Sequence, residues 1–238
     1  MTRGQSHVVA VALLLVASSV AIGTLTLGVG SLVETRAAST DAQRVAGGLA
    51  EAIRPRSTTG HRARDVRFAE GRLRTVEREV RIARNGTTVG TYDVGGLRYE
   101  RGDQAVAVVS GAILRRAGGS GWVVREPPVA GSEARGVLVV GLAHLGDADV
   151  AVGGSGGSAV TVRTTVRHGR ESLGNGTFAV AVETRRAAAL ERHFEARGVP
   201  ARVVDRDGDG VPAVRARLPG VRRGVLIHHH LSLEVGHG

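Results

Sequence analysis

Asp205, Asp207 and Asp209 alternate through Asp205-Arg206-Asp207-Gly208-Asp209-Gly210, a spacing that speaks directly of chemistry. They fill positions 1, 3 and 5 of a calcium-type loop, with Gly210 at position 6 for the sharp turn. Position 12, where a bidentate acid is expected, is Ala216, and the flanks read as strands rather than helices. Calcium binding and a plain Asp/Gly turn both fit, and calcium is the one cofactor suggested. In His228-His229-His230, alternation along a strand puts His228 and His230 on one face and His229 on the other, so the segment alone offers two ligands to a metal. Gly153-Gly154-Ser155-Gly156-Gly157 matches a nucleophile-elbow pattern, but that elbow needs a strand before it and a helix after it, and here a strand begins at Ala159. His144, His168 and His193 have no acid or nucleophile at a useful spacing and read as solvated or core histidines. No catalytic residue is assigned, and an enzyme is not expected. Asn85-Gly86-Thr87 and Asn175-Gly176-Thr177 are glycosylation sequons, and Asn-Gly is equally good turn chemistry.

The elements that would carry these residues are mainly strands. Val160, Val162, Thr164 and Val166 alternate with polar residues, as do Phe178, Val180 and Val182, with a turn expected around Asn175-Gly176 between the two runs. Val80 to Ile82 leads into Asn85-Gly86, a hairpin signal. Further strands are expected over Gln104 to Leu114, Trp122 to Arg125, Gly136 to Leu142, Val214 to Leu218 and Gly224 to Val235. Gly153 to Ser158 reads as a flexible loop. Ala187 to Arg197 is the convincing helix of this part, with Leu190 and Phe194 four apart and Gly198 at its end. Runs of strands without regular β-α alternation argue for an antiparallel sandwich.

Ahead of the strands stands a different kind of segment. Val8 to Val33 runs without a charge, long enough as a helix to span a hydrocarbon core. Beyond it Ala38, Ala42, Val45, Leu49, Ala52 and Ile53 recur at helical spacing, with Asp41, Gln43, Arg44 and Glu51 assigned to the solvated face. Gly47-Gly48 is a weak point and Pro55 a stop. Within the run, the four-residue spacings of Ala17 and Ala21, Ser19 and Gly23, and Thr24 and Gly28 permit close helix packing.

Arg3-Gly4, then Gln5-Ser6-His7-Val8-Val9 and a long apolar run, resembles the amino terminus of archaeal type IV pilins and pilin-like proteins. The Arg-rich, Lys-free layout with a β-rich head is similar to haloarchaeal pilin-like proteins in particular. The chain carries His7 and Ala10 where archaeal pilins often have Pro and Gly. The resemblance implies leader removal after Gly4 by a prepilin peptidase, leaving Gln5 first. It also implies an extracellular head, and association with the membrane and with other pilin-like subunits through the N-terminal helix.

Composition bounds the remainder. The chain has 238 residues, no cysteine and a net charge of +10, with every basic residue an arginine. Without cysteine there are neither disulfides nor thiolate metal sites. Acidic residues alternate with Arg62 to Arg84, where Phe68 is the only aromatic; this favours a solvated face with cross-strand ion pairs over a nucleic-acid partner. The expected fold class is α+β, a long N-terminal transmembrane, pilin-type helix followed by a mainly antiparallel β-sandwich head with one short helix. The expected division is a leader at 1–4, a helix at 5–54 (5–33 transmembrane, 34–53 amphipathic) and a head at 60–238. The expected function is that of a membrane-anchored surface protein, a structural or adhesive subunit of a pilus-like assembly. The alternative is a binding module outside any filament, for calcium, glycan or anionic polymer.

Overall fold

The structure, a computed structural model, describes residues 30–53, 60–132, 134–145, 150–205 and 208–237. The chain divides into two units between Thr40 and Asp41. Of the first unit, residues 30–40 are helical, with Leu32 and Val33 exposed. They begin helix α1, which continues to residue 52.

The second unit is built on twelve strands. In chain order they are β1 (Gly60–Val76), β2 (Glu79–Arg84), β3 (Thr87–Asp93), β4 (Gly96–Arg101), β5 (Gln104–Val109) and β6 (Ala112–Ala117). There follow β7 (Ser120–Arg125), β8 (Val129–Ser132), β9 (Val137–His144), β10 (Ala151–Glu183), helix α2 (Ala187–Glu195), β11 (Ala201–Val204) and β12 (Ala213–His237). Hydrogen bonds join the strands in the order β7-β6-β5-β4-β1-β10-β12-β9-β8, with β2–β3 attached to β10 and β11 to β12. Pairing is antiparallel except between β9 and β12, which run parallel. The β-rich, sandwich-like head is thus present, and the long strands β1, β10 and β12 form its spine.

Each face of this sheet carries a core of its own. Neighbouring residues of a strand point to opposite faces, and they fall into different cores: Ile113 and Leu231 into the one, Leu114 and Leu226 into the other. The first core takes Val45 and Leu49 of α1 with Ile53 just after it, and the second takes Leu190 and Phe194 of α2. The stripe of α1 is buried as its spacing predicts, including Ala38, Ala42 and Ala52. Gly47-Gly48 neither ends nor interrupts the helix. A Cβ on Gly48 would lie 3.3 Å from the Val66 side chain, so the missing side chain lets α1 approach β1 closely.

Asp41 departs from expectation. It is not on a solvated face but 1% exposed. Its carboxylate accepts the Ala69 amide at 3.1 Å and pairs with Arg101, which also reaches Glu70 at 2.9 Å. A charge this deep is tolerable only when paired and hydrogen-bonded, and the pairing pins α1 to β1 and β4. At the helix end, Arg125 donates to the Ala50 carbonyl and Thr164 to that of Ala52, satisfying acceptors that the helix leaves open.

The expected fold class needs a larger correction. Among the described residues no helix is long and apolar enough to cross a membrane. The described part of α1 carries Glu34, Arg36, Asp41, Arg44 and Glu51, a charge in nearly every turn, which hydrocarbon does not accommodate. The transmembrane helix is therefore no part of the fold as seen, which is a β structure with two helices. Gly4, Gln5, Ala17, Ser19, Ala21, Gly23, Thr24 and Gly28 lie outside the described residues.

Three local expectations also change. Gly153 to Ser158 is not a loop but part of β10, paired with β1 from Arg72↔Gly153 to Phe68↔Ser158. Asn175-Gly176 is no turn either; β10 passes through it with irregularities on both sides. The run from Gln104 to Leu114 is instead broken at Ser110-Gly111, whose φ angles of 46° and 85° turn β5 into β6.

Candidate functional site

The parallel seam between β9 and β12 gathers five of the nine histidines. On one face lie His144 at the end of β9 with His228 and His230 of β12; on the other, His229 meets His168 of β10. His144 pairs in register with His230 and His168 with His229. His228 stands opposite Gly169, which puts no side chain in the way of the imidazole.

The first face has the more developed geometry. His144 Nε2 and His228 Nδ1 face each other at 3.0 Å. The outer nitrogens of both rings have oxygen partners: His144 Nδ1 lies 2.9 Å from the Asp93 carbonyl, and His228 Nε2 lies 3.4 Å from Glu171 Oε2. A carbonyl only accepts, so His144 carries its proton on Nδ1 and offers a lone pair at Nε2. The Tyr92 hydroxyl donates to the same Glu171 oxygen at 3.4 Å, and its ring stands edge-on to His228. His230 is exposed and stacks on His144 with ring centres 4.8 Å apart. Burial chiefly pushes the His144 imidazole below its ordinary pKa; the Asp93 carbonyl works against this, and His230 and His228 reinforce it. Burial likewise lowers His229, with His168 beside it adding to the effect. The His168 Nε2 atom is buried without a hydrogen-bond partner. The Tyr92 phenol is raised by burial, then by Glu171.

The remaining candidates are placed as follows. In the acidic loop, Asp205 accepts the Gly208 amide at 3.0 Å and Asp209 the Val211 amide at 2.7 Å, so each carboxylate shapes its own turn. Asp207 lies outside the described residues, and Ala216 is buried in β12. Asp209 also lines a cleft of about 380 Å³ with Arg78, Arg98, Glu183 and Arg185, where burial lowers the Arg78 guanidinium and Glu183 opposes that. Ser155, in the elbow-like pattern, lies near the start of β10, opposite Glu70, and is followed by strand rather than helix.

The two sequons meet. Asn85 Oδ1 accepts the Thr177 amide at 2.9 Å and its hydroxyl at 3.3 Å, so the Asn of one sequon holds the Thr of the other. Both asparagines are exposed. Arginines form pairs along their own strands, as in Arg67–Asp65 and Arg81–Glu79, and also across strands as expected, as in Arg101 of β4 with Glu70 of β1. Residues two apart share a face of a strand, so a surface that alternates in charge supplies its own counter-ions.

What sequence reasoning missed is His144. The His-x-His pattern of β12 was legible as two ligands on one face, but nothing local announces that β9 lies parallel beside it.

One family model matches, the Family of unknown function (DUF7289), over residues 3–234. No curated protein and no solved structure matches the chain. The match runs from Arg3 to Glu234, taking in the apolar segment, α1, eleven strands and all of β12 but its last three residues. The chain belongs to this family of unknown function, DUF7289.

Proposed function

We propose that the chain is a pilin-like, membrane-anchored protein of the cell surface, with a structural or adhesive role and its β-rich head outside. The observation that carries this reading is the join between α1 and the head. An amphipathic helix following the Arg3-Gly4 junction and the apolar run buries one stripe in the head and is held there by Asp41, Arg101 and Arg125. A single family match spanning the junction and the head agrees with one functional unit.

On this reading a prepilin peptidase cuts after Gly4, and other pilin-like subunits are met through the small residues of segment 17–28. Nucleic acid is not a partner, since the arginines of the head are interleaved with acids. Mass spectrometry of the protein from its native cells tests the proposal: the mature chain is expected to begin at Gln5. A chain beginning at Ile22, as cleavage of a secretory signal peptide after Ser19-Val20-Ala21 would leave it, or one retaining Met1, overturns it.

A further inference from the structure

We propose that His144 and His228, joined by His230, form a binding site for a borderline divalent transition metal, of which Zn²⁺ is the type. The argument starts from two outer nitrogens that already have acceptors. The Asp93 carbonyl fixes the proton of His144 on Nδ1, and Glu171 calls for a proton on Nε2 of His228. If each ring is neutral, the inner nitrogens then face one another lone pair to lone pair at 3.0 Å. A proton on His228 Nδ1 would relieve this only by turning a bare Nε2 toward Glu171, whereas a metal ion between the inner nitrogens satisfies both outer acceptors at once.

The surroundings suit the metal. Imidazoles that bind zinc almost always direct their other N–H at a carbonyl or carboxylate, which sets ring orientation and raises basicity. Here one ring has each kind of acceptor, and Tyr92 in turn positions the carboxylate. Two nitrogens on a tetrahedral zinc, each about 2.0–2.1 Å from the metal, stand roughly 3.3 Å apart, so the pair has only to open by a few tenths of an ångström. The third ligand is within reach: the His230 ring centre lies 4.8 Å from that of His144 and 5.9 Å from that of His228. Among the described residues no three such side chains are already set to hold a metal. The missing element is the orientation of His230, which lies flat against its neighbours and, being exposed, is free to turn its nitrogen inward. Imidazole ligands favour Zn²⁺, Cu²⁺, Ni²⁺ or Co²⁺ over Ca²⁺ and Mg²⁺.

The test is calorimetric titration of the purified full chain with Zn²⁺, paired with Co²⁺ uptake followed by its visible absorption bands. One equivalent bound at the histidine face is expected. His144→Ala and His228→Ala should each weaken binding at least about 100-fold, and His230→Ala, an exposed change that leaves the fold alone, should weaken it less. Glu171→Gln should cost about 10- to 100-fold through loss of the orienting acceptor, while His168→Ala should leave Zn²⁺ affinity as it was. The proposal is overturned if Zn²⁺ affinity survives both His230→Ala and Glu171→Gln in folded protein. It is equally overturned if His168→Ala abolishes binding, or if the full chain takes up neither ion.

Discussion

Tyr99 shows how one residue reports on the whole interface below α1. It is fully buried against Phe68, and its hydroxyl donates to the Glu70 carbonyl at 2.6 Å. Burial first, and then the nearby Asp41 carboxylate, push its pKa up from 10.0 to about 12. The folded value lies above the unfolded one, so folding favours the neutral phenol. The corresponding stability is complete below pH 10.0 and is lost as pH rises through about 12. With no lysine and only two tyrosines in the chain, alkaline titration is unusually readable. Absorbance should show Tyr99 ionising late and together with unfolding, and Tyr99→Phe should remove that step while costing about 1 kcal/mol for the lost hydrogen bond. At Asn85, with φ of 50°, the backbone needs the left-handed region and the side chain holds Thr177. Replacement by Ala should destabilise by about 2 kcal/mol in denaturant melts, and Gly by less, because only Ala adds a backbone penalty to the lost bonds.

At the scale of elements, α1 repays the closest attention. Its buried stripe was legible because apolar residues recur every three or four positions, a pattern that admits little else. The place of Asp41 was not, because helical spacing alone put it with Arg44 and Glu51; Arg44 does pair with it at 3.2 Å, and the approach of Arg101 and the Ala69 amide completes the set that makes its burial tolerable. Asp41→Ala should therefore cost about 3 kcal/mol, measured by denaturant unfolding, since it leaves Arg101 with only the half-exposed Glu70 and the Ala69 amide without its acceptor. The adjacent glycines should separate. Gly47 has open space where an added methyl group would stand, and Gly47→Ala should stabilise by about 1 kcal/mol through helix propensity. Gly48 faces Val66 at 3.3 Å, so the same change there should gain less or turn destabilising. Equal gains at both positions would contradict close packing of α1 on β1.

At the scale of the molecule, β1, β10 and β12 tie all other strands into one hydrogen-bonded system. Partners as distant in sequence as Gly60 and Val166, or Val137 and Arg223, must meet before it closes. Loop closure over such separations is slow, so refolding should take milliseconds to seconds or longer. Unfolding followed by fluorescence of Trp122, on edge strand β7, should coincide with loss of circular dichroism. Two separated transitions would show that β4–β7 can leave the sheet independently.

By itself the sequence determined the elements whose physical signals are local: the stripe of α1, the Asn85-Gly86 hairpin, α2, and the preference for strands in a chain rich in alternating Val and Thr. Only the tertiary structure decided what depends on partners far along the chain. Periodicity carries no information about register or neighbours, so glycine-rich residues 153–158, which read as a loop, became strand once β1 lay beside them. In the same way His144 reached His228 and His230 only because β9 runs parallel to β12. The histidine face exists because of that one pairing, and no window of the sequence contains it.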